Sequence, residues 1–488
     1  MTDNQTHSPK QDGAKSASGG VEVSSSNAVI SDFGIDTTSR TTGEALRDYV
    51  SRVRGGEFGA LPAVGGLLVL LIVFSALSGY FLTINNLANL ITQGAGETII
   101  AMGIVPVLLL GEIDLSAGTA SGLTAAVFAL HLNKNGNLQA SMGSTVFYGF
   151  VILLVIAAVL AGVLRIWIGA GGAALGALLV LLGVPVNPWL EMLMGVCVGV
   201  GIGCLTGFLV SKIGMPSFVV TLALFIAWYG VILLLIGNLG ELSIRQSNVL
   251  FDVANSNLNT LGSWILFVIA AGGYGAVCVL RHFSRLRKGL VAQPTTLVAV
   301  KVLVVLVLGA VATYLLTLNR SPNPDLTTIA GVPYVVPIIV VLLVIGTFVL
   351  DRTRYGRHIY AVGGNREAAR RAGIPVDKIR MSVFVICSSV AAVGAIVYSS
   401  KIGEVDGTAG NGNTLLFAVG AAVIGGTSLF GGKGRMRDAV LGGAVLATVQ
   451  NGLGLLGFQA AQVNIITGLV LLVAATVDAL SRRRSTAH

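Results

Sequence analysis

The sequence predicts an all-α protein that crosses a membrane many times, and three features support this prediction. Hydrophobic residues make up 54% of the 488 residues and charged residues only 11%, whereas soluble domains carry about 25% charged residues. The mean hydropathy is +0.84. A soluble fold could not hide that much apolar surface, because its exterior must meet water. The apolar residues also form long runs, unlike the short alternating segments of a membrane β-barrel.

Glycine supplies 64 of the residues, about 13% of the chain against roughly 7% in average proteins. Inside a bilayer there is little hydrophobic drive between helices, so close backbone approach through small residues takes its place. The glycine content therefore predicts a tightly packed helical bundle and argues against a few independent membrane anchors.

The net charge of +9 does not indicate a nucleic-acid partner. The Lys and Arg residues lie at the ends of apolar runs, which is typical of membrane topology, and no basic face with interleaved aromatic residues is present. The four cysteines lie inside apolar runs, without the spacing of a metal site or a disulfide framework. They are predicted to be small core residues.

Residues 1–58 differ from the rest, because they are rich in Ser, Thr, Asn and Gly and contain scarcely any aliphatic run. They lack the pattern of a secretory signal and are expected to form a disordered tail. Arg47, Arg52 and Arg54 place the end of this tail in the cytoplasm. The remainder, residues 59–484, is predicted to be one transmembrane domain.

A helix that crosses the hydrocarbon core needs about 20 residues, and this rule predicts about 10–14 transmembrane helices. Fourteen candidate segments lie near 61–82, 88–110, 117–132, 145–164, 166–183, 188–210, 216–236, 263–280, 295–317, 333–350, 381–400, 414–430, 436–457 and 461–480. The glycine-rich stretches 166–183 and 408–430 are alternatively half-helices that do not cross the bilayer.

The basic clusters alternate between connections, which predicts the orientation. Clusters lie at 281–288, within 351–380, at 433–437 and at 482–484, whereas three other connections are poor in Lys and Arg. Those three are 237–262, 318–332 and 401–412. By the positive-inside rule, the basic connections and both termini are expected on the cytoplasmic side of the cell membrane.

No motif for catalysis or nucleotide binding is found. The closest approach to a phosphate-binding loop is Gly425–Gly434, but Thr427 stands where the first glycine is needed, so this segment is rejected as a nucleotide site. A membrane enzyme acting on lipid-linked sugars would need acids or histidines clustered near one interface, and none is visible. The chain is therefore not expected to be an enzyme.

Two carboxylates, Glu112 and Asp114, lie between two apolar runs in the segment 111–118. One interpretation is the cation or proton site of an ion-coupled transporter or channel. The other is a turn at the cytoplasmic surface, in which Asp114 or Ser116 caps the next helix. The turn is favoured, because coupling charges usually lie near the middle of the bilayer.

The connection 351–380 predicts a short helix that is complete in itself. Its signals are the N-cap Asn365, the first-turn acid Glu367, the C-terminal bases Arg370 and Arg371, and Gly373 just after the helix. A helix of about two turns is marginal in water. It is therefore expected to gain stability from something that it touches.

The pattern Glu367-Ala368-Ala369-x-x-x-Gly373 resembles the EAA motif in permease subunits of bacterial ATP-binding-cassette importers. Four further segments resemble the ribose/xylose-type sugar permeases more narrowly. They are 355–365, 111–116 with Gly111, Asp114 and Ser116, 215–222 and 426–434. These matches keep their order and extend over nearly the whole membrane part of the chain.

The resemblance implies a coupling helix that docks in a cleft of a separate ATPase subunit. The docking residues would be Asn365, Glu367, Ala368, Ala369, Arg370, Arg371 and Gly373, with the small alanines entering the groove and the arginines meeting acidic groups at its rim. It also implies a permease homodimer and an extracytoplasmic sugar-binding protein. ATP would be bound by the partner subunit, so no cofactor is expected here.

The chain departs from the family pattern in two ways. Glu112 stands where the family usually has an uncharged residue, often glycine. Extra apolar segments lie near 145–183 and 281–317, and the second is similar to an insertion of the xylose-type permeases. This similarity shifts the expected substrate towards a pentose such as xylose, while the first insertion carries no functional prediction.

Overall fold

The computed structural model describes residues 59–290 and 292–485, with a few positions between 42 and 51. The predicted tail, residues 1–58, lies almost entirely outside the described residues. The described chain is helical apart from its connections and two very short strands. This architecture confirms the predicted all-α fold class.

The first half contains nine helices of the described chain. They are α1 (Leu61–Leu77), α2 (Ile84–Gln93), α3 (Ala95–Leu109), α4 (Ser116–Asn133), α5 (Leu138–Met142), α6 (Ser144–Val163), α7 (Trp167–Leu182), α8 (Pro188–Phe208) and α9 (Ser217–Ile236). A single wider, π-helical turn, Leu209–Ile213, extends α8. Two-residue strand β1 (Leu242–Ser243) follows α9.

The second half continues with shorter helices, a second strand and the longest helices. They are α10 (Asn248–Asn255), α11 (Thr260–Phe267), α12 (Gly273–Arg287), α13 (Thr295–Thr317), α14 (Val335–Arg352), α15 (Arg354–Gly364), α16 (Arg366–Arg371), α17 (Val376–Ile402), β2 (Glu404–Val405), α18 (Asn413–Ile424), α19 (Met436–Leu455) and α20 (Ala460–Ser485). A π-helical turn, Val268–Gly272, joins α11 and α12 into one continuous helix.

Side-chain caps fix where several helices start. The Thr83 hydroxyl accepts a hydrogen bond from Asn86 N at the start of α2, and Asn187 accepts one from Trp189 N at the start of α8. Pro188 then occupies the first helical position of α8, where its missing N–H costs nothing. Asn259 caps α11 in the same way. Each cap satisfies a backbone donor that the helix leaves without a partner.

Seven helices of the described chain are long and apolar enough to cross a membrane. They are Ser144–Val163, Pro188–Ile213, Ser217–Ile236, Thr260–Arg287, Thr295–Thr317, Val335–Arg352 and Val376–Ile402. The pair α2 and α3 makes up to eight when it is counted as one span bent by 41°. The remaining predicted segments include four shorter apolar helices, of 10–17 residues, in α1, α7, α18 and α20.

Two predicted spans have different boundaries in the structure. The segment 88–110 is not one straight helix, because the chain bends at Gly94, where a Cβ would lie 2.5 Å from the Cβ of Ala447. The segment 414–430 is helical only as far as Ile424 and then becomes a glycine-rich loop. The helix has 12 residues, fewer than the roughly 20 that cross a bilayer, which supports the interpretation of this segment as a half-helix.

Helices α3, α4, α8 and α17 form the centre of the bundle, and nearly every residue of α3 and α4 is buried. In α8 and α17, 67% of the most hydrophobic 18-residue stretch is buried. The corresponding stretch of α13 is 0% buried, so α13 lies at the periphery. A Cβ on Gly199, Gly203 or Gly207 of α8 would lie 2.7–2.8 Å from a backbone carbonyl oxygen of α17. This glycine stripe lets the two backbones touch, as expected for helix packing in lipid.

The three connections poor in basic residues meet at one end of the bundle. Strands β1 and β2 pair antiparallel, with Leu242 opposite Val405, and so join 237–262 to 401–412. Arg320 Nη2 donates a 2.7 Å hydrogen bond to Asn257 Oδ1 and joins 318–332 to them. We call this the β end.

The opposite end carries α15 and α16 and is called the α16 end. Four residues separate the end of α16 from the start of α17, and α17 ends just before β2. It has 27 residues, and at 1.5 Å per residue it is about 40 Å long. A single helix therefore connects the two ends.

Candidate functional site

The turn between α3 and α4 lies at the α16 end and holds a buried cluster of charges. Glu112 Oε1 accepts hydrogen bonds from Arg366 Nη2 at 2.5 Å and from Arg380 Nε at 2.8 Å, and Arg380 Nη2 lies 2.6 Å from the same oxygen. The side chains of Glu112 and Arg380 are buried, whereas that of Arg366 is 41% exposed. Arg366 begins α16 and Arg380 lies in the second turn of α17. Glu112 therefore fastens both helices to this turn.

The predicted exposure of this turn is wrong, because both of its carboxylates are buried. Helices α16 and α17 cover Glu112 with their arginines, and Asp114 is fully enclosed beside the thiol of Cys387. The predicted helix-starting role of Asp114 is confirmed in part. Its Oδ1 accepts hydrogen bonds from Ser116 N at 3.0 Å and Ser116 Oγ at 2.6 Å, although the N-cap position itself is Leu115.

A second predicted motif, residues 215–222, packs on the same turn. Ser217 Oγ accepts a hydrogen bond from Ile113 N at 3.3 Å, and Thr221 Oγ1 donates one to Ile113 O at 3.2 Å. Both side chains come from the first turns of α9. The backbone of the turn is thereby satisfied by side chains more than a hundred positions away.

The glycine-rich motif 426–434 reaches the turn from the other side. Gly432 N donates a 2.9 Å hydrogen bond to Leu109 O at the end of α3. Tyr360 of α15 donates its hydroxyl to Gly434 O at 2.8 Å. Burial raises the pKa of Tyr360 to about 12, so the phenol keeps the proton that it donates. This loop is a packing element between α18 and α19.

Helix α15 also packs closely on this site. A Cβ on Gly363 would overlap the backbone carbonyl oxygen of Leu109, so only glycine fits there. Tyr355 shares a 2.7 Å hydrogen bond with Ser382 of α17. The four family-like motifs are thus scattered along the chain, but the fold brings them together at one place.

The short helix predicted in the connection is confirmed as α16. Asn365 Oδ1 accepts a 2.9 Å hydrogen bond from Ala368 N and caps its start. Glu367 pairs with Arg370 at 3.3 Å across one turn. Gly373 has φ +79°, the left-handed conformation that favours glycine after a helix. The prediction that α16 is held by another element is met by the Arg366–Glu112 pair.

One expected docking residue does not lie where the resemblance placed it. Ala369 is only 4% exposed and packs in the core of this chain's own bundle with Val362 and Ile379. It faces inwards because α16 must seat against α15 and α17, and it cannot enter a groove of another subunit. The exposed residues of α16, which we call the α16 face, are Glu367, Ala368, Arg370 and Arg371.

Sequence reasoning recognised Glu112 as unusual but did not find its partners. A signal was present, since Arg380 is a basic residue next to a long apolar run, where a charge needs a counter-ion. The geometry also bears on the ion-coupling interpretation. A carboxylate that is paired with two guanidinium groups has no net negative charge left to offer a cation.

Comparisons with known proteins identify the family of the chain. The family model described as branched-chain amino acid transport system / permease component matches residues 168–475, more than half of the chain. The xylose transport system permease protein XylH of Escherichia coli is 29% identical over 431 residues, covering 86% of this chain and 92% of that protein. XylH of Haemophilus influenzae is 27% identical over 425 residues, covering 86% and 95%.

The ribose import permease protein RbsC of Escherichia coli is 27% identical over 412 residues, covering 84% of this chain and 91% of RbsC. No solved structure matches the chain. The alignments with XylH and RbsC extend well beyond the family model, so they include the α3–α4 turn as well as α15 and α16. The chain therefore belongs to the family of branched-chain amino acid transport system permease components, as a multi-pass membrane protein that resembles its xylose- and ribose-type members.

Proposed function

We propose that the chain is the permease subunit of an ATP-binding-cassette importer that moves a monosaccharide across the cytoplasmic membrane. A pentose such as xylose is the proposed substrate, because the chain resembles xylose and ribose permeases over most of its length. The transmembrane unit is residues 59–484. ATP is bound and hydrolysed by a separate subunit, and this chain needs no cofactor of its own.

The observation that carries this proposal is the α16 face and its attachment. The α16 face presents two arginines, an acid and a small alanine to solvent, a surface that suits a cleft with acidic groups at its rim. The buried side of α16 is fixed to the bundle by Ala369 and by the Arg366–Glu112 pair. A force on α16 is therefore transmitted directly to α3, α4 and α17.

The proposed assembly follows from the two ends of the bundle. The α16 end and both termini face the cytoplasm, where the connection 351–380 meets the ATPase. The β end faces outwards and receives the sugar-binding protein. Two copies of the chain form the permease, and the four-residue α16 face of each copy contacts one ATPase subunit.

The test uses the substitution Ala368→Trp in the complex of permease, ATPase subunit and sugar-binding protein. Ala368 is exposed, so the large ring does not disturb the core but blocks close entry of α16 into a cleft. We expect the variant to insert and melt like the wild type, to lose co-purification with the ATPase subunit, and to reduce ATP-driven xylose uptake by proteoliposomes at least tenfold.

The matched control is Ala174→Trp, an exposed alanine in the middle of α7 and away from both ends of the bundle. It should leave both co-purification and uptake unchanged. Normal ATP-driven uptake by Ala368→Trp would refute the role of the α16 face. Uptake that follows a proton or sodium gradient without the ATPase subunit would instead favour an ion-coupled transporter.

A further inference from the structure

The β end contains a cavity that the coupling site does not explain. Its volume is about 480 Å³, within the range of about 300–1,000 Å³ that is typical of small-molecule sites. Helices α2, α3, α17, α18, α19 and α20, together with strand β2 and the connection after it, supply its walls. Helix α17 carries Arg380 of the coupling site near its start and Tyr398 of the cavity near its end.

The cavity is lined by groups that can both donate and accept hydrogen bonds. Carboxamides come from four helices: Gln93 of α2, Asn413 of α18, Gln450 of α19 and Asn464 of α20. Asn413 Nδ2 donates a 2.9 Å hydrogen bond to Asn464 Oδ1, which fixes the orientation of that pair. A carboxamide offers two donors and one acceptor oxygen, so such a lining suits a ligand with several hydroxyl groups.

Glu97 of α3 supplies an acceptor with spare capacity. Its side chain lines the cavity and is only 9% exposed. Within residues 59–290 and 292–485 it receives a single hydrogen bond, at a long 3.5 Å from Gln450 Nε2. A buried carboxylate has about four lone-pair sites and is costly when they are not filled. Ligand hydroxyl groups would fill them.

Aromatic rings complete the cavity. Tyr398, Phe417 and Phe458 line it beside the polar groups. Flat apolar ring faces suit the C–H faces of a sugar ring, whose hydroxyl groups point outwards to the polar groups at the edge. The combination of ring faces and carboxamides therefore fits a carbohydrate better than a purely apolar or purely charged ligand.

The charge of the lining excludes anions, and no group of three acids, histidines or cysteines in the described chain is placed to hold a metal ion. Its described residues include the acids Glu97, Glu404 and Asp406 but no Lys, Arg or His. Asp406 is occupied within its own loop, because Oδ1 accepts hydrogen bonds from Thr408 N and Thr408 Oγ1, both at 2.9 Å. A zwitterionic amino acid would find no cationic side chain for its carboxylate.

We propose that this cavity binds a neutral monosaccharide during transport, and that Glu97 and Gln450 select its pattern of hydroxyl groups. The inference rests on the proposed function and names the place where one chain holds the sugar. The cavity lies within a single chain, so it binds sugar in the absence of the ATPase subunit.

The test measures binding by the detergent-solubilised permease alone, with xylose as the probe, by saturation-transfer difference NMR. We expect the wild-type protein to transfer saturation to xylose and not to leucine. The variants Gln450→Leu and Glu97→Gln should each reduce the xylose signal at least fivefold while the melting temperature stays within a few degrees. Gln139→Leu, an exposed glutamine outside the cavity, should leave the signal unchanged.

The coupling variant separates this inference from the proposed function. Ala368→Trp should bind xylose normally but fail to import it, whereas the cavity variants should co-purify with the ATPase subunit but lose both binding and import. No transfer to xylose in the wild type, or equal transfer in the cavity variants, would overturn the cavity as the sugar site. Transfer to leucine in place of xylose would overturn its assignment to a sugar.

Discussion

Glu112 is the residue on which the coupling site depends. It is buried and paired with two arginines. Neither Arg366 nor Arg380 has another ion-pair partner within the described chain. The Glu112 carboxylate and the two guanidinium groups therefore form one ion-pair cluster. Removing one of these charges changes the electrostatic balance of the others.

The first prediction concerns the unequal strength of the two pairs. Glu112→Ala leaves Arg380 buried without a counter-ion, and breaking a buried pair in this way costs about 3–5 kcal/mol. Arg366→Ala should cost less than about 1 kcal/mol, because Arg366 is 41% exposed and solvent screens its pair. Thermal unfolding of the purified protein in detergent measures both.

Arg371→Ala is the matched control for this series, since Arg371 is exposed on the same helix. Its melting temperature should equal that of the wild type. The double variant Glu112→Leu/Arg380→Met should be more stable than Glu112→Ala, because replacing both charges by apolar groups leaves no buried charge. Equal melting temperatures for Glu112→Ala and Arg371→Ala would show that the cluster contributes nothing to stability.

At the scale of helices, the contact between α8 and α17 holds the bundle together. The glycine stripe Gly199, Gly203 and Gly207 brings the two backbones to a separation that no larger residue allows. In lipid such close packing replaces the hydrophobic effect as the reason for helices to associate.

The second prediction tests this stripe. Gly203→Leu should prevent α8 from seating on α17, since a Cβ alone would already lie 2.7 Å from Phe384 O. We expect aggregation on size-exclusion chromatography or a loss of melting temperature of more than about ten degrees, in line with severe overpacking.

The control for the stripe is Gly230→Leu in α9, where a Cβ would meet nothing within 4 Å. It should give a monodisperse protein with an unchanged melting temperature, because leucine favours a helix and is accommodated by lipid. A stable, monodisperse Gly203→Leu protein would contradict the interface.

The helices that sequence predicts well are those whose signals are local. Asn365, Glu367 and Gly373 lie within nine residues, and together they determine both ends of α16. The burial of Glu112 was missed because its partner Arg380 lies 268 positions away. Ala369 was misplaced for a similar reason, since the motif identifies α16 but not the side of α16 that faces the bundle.

At the scale of the whole molecule, the charge pattern of the connections predicted which of them share an end. The pairing of β1 with β2 and the Arg320–Asn257 bond confirm that the three connections poor in basic residues lie together. The cavity at this end could not be predicted, because its lining residues come from six helices, each of which contributes only one or two polar side chains to the lining.

The third prediction tests the orientation in the membrane. Ala368→Cys and Asn411→Cys place single exposed or half-exposed thiols at the α16 end and the β end. In spheroplasts, whose cytoplasmic membrane is intact and accessible from outside, a membrane-impermeant maleimide should label Asn411→Cys. The same reagent should label Ala368→Cys only after the cytoplasmic membrane is permeabilised. The native thiols are buried or half-buried, and the unmodified protein gives the background. The reverse labelling pattern would invert the proposed topology.

Helix α17 joins the coupling site to the cavity at the β end. It contains no proline, and its 27 residues carry Arg380 near one end and Tyr398 near the other. If α17 moves as a rigid body, occupancy at either end changes the free energy of occupancy at the other. Such linkage is reciprocal: any factor by which the energy-supplying subunit weakens retention of a sugar must equal the factor by which that sugar weakens the hold of the subunit. Measuring either affinity with and without the other ligand would therefore give the same coupling free energy.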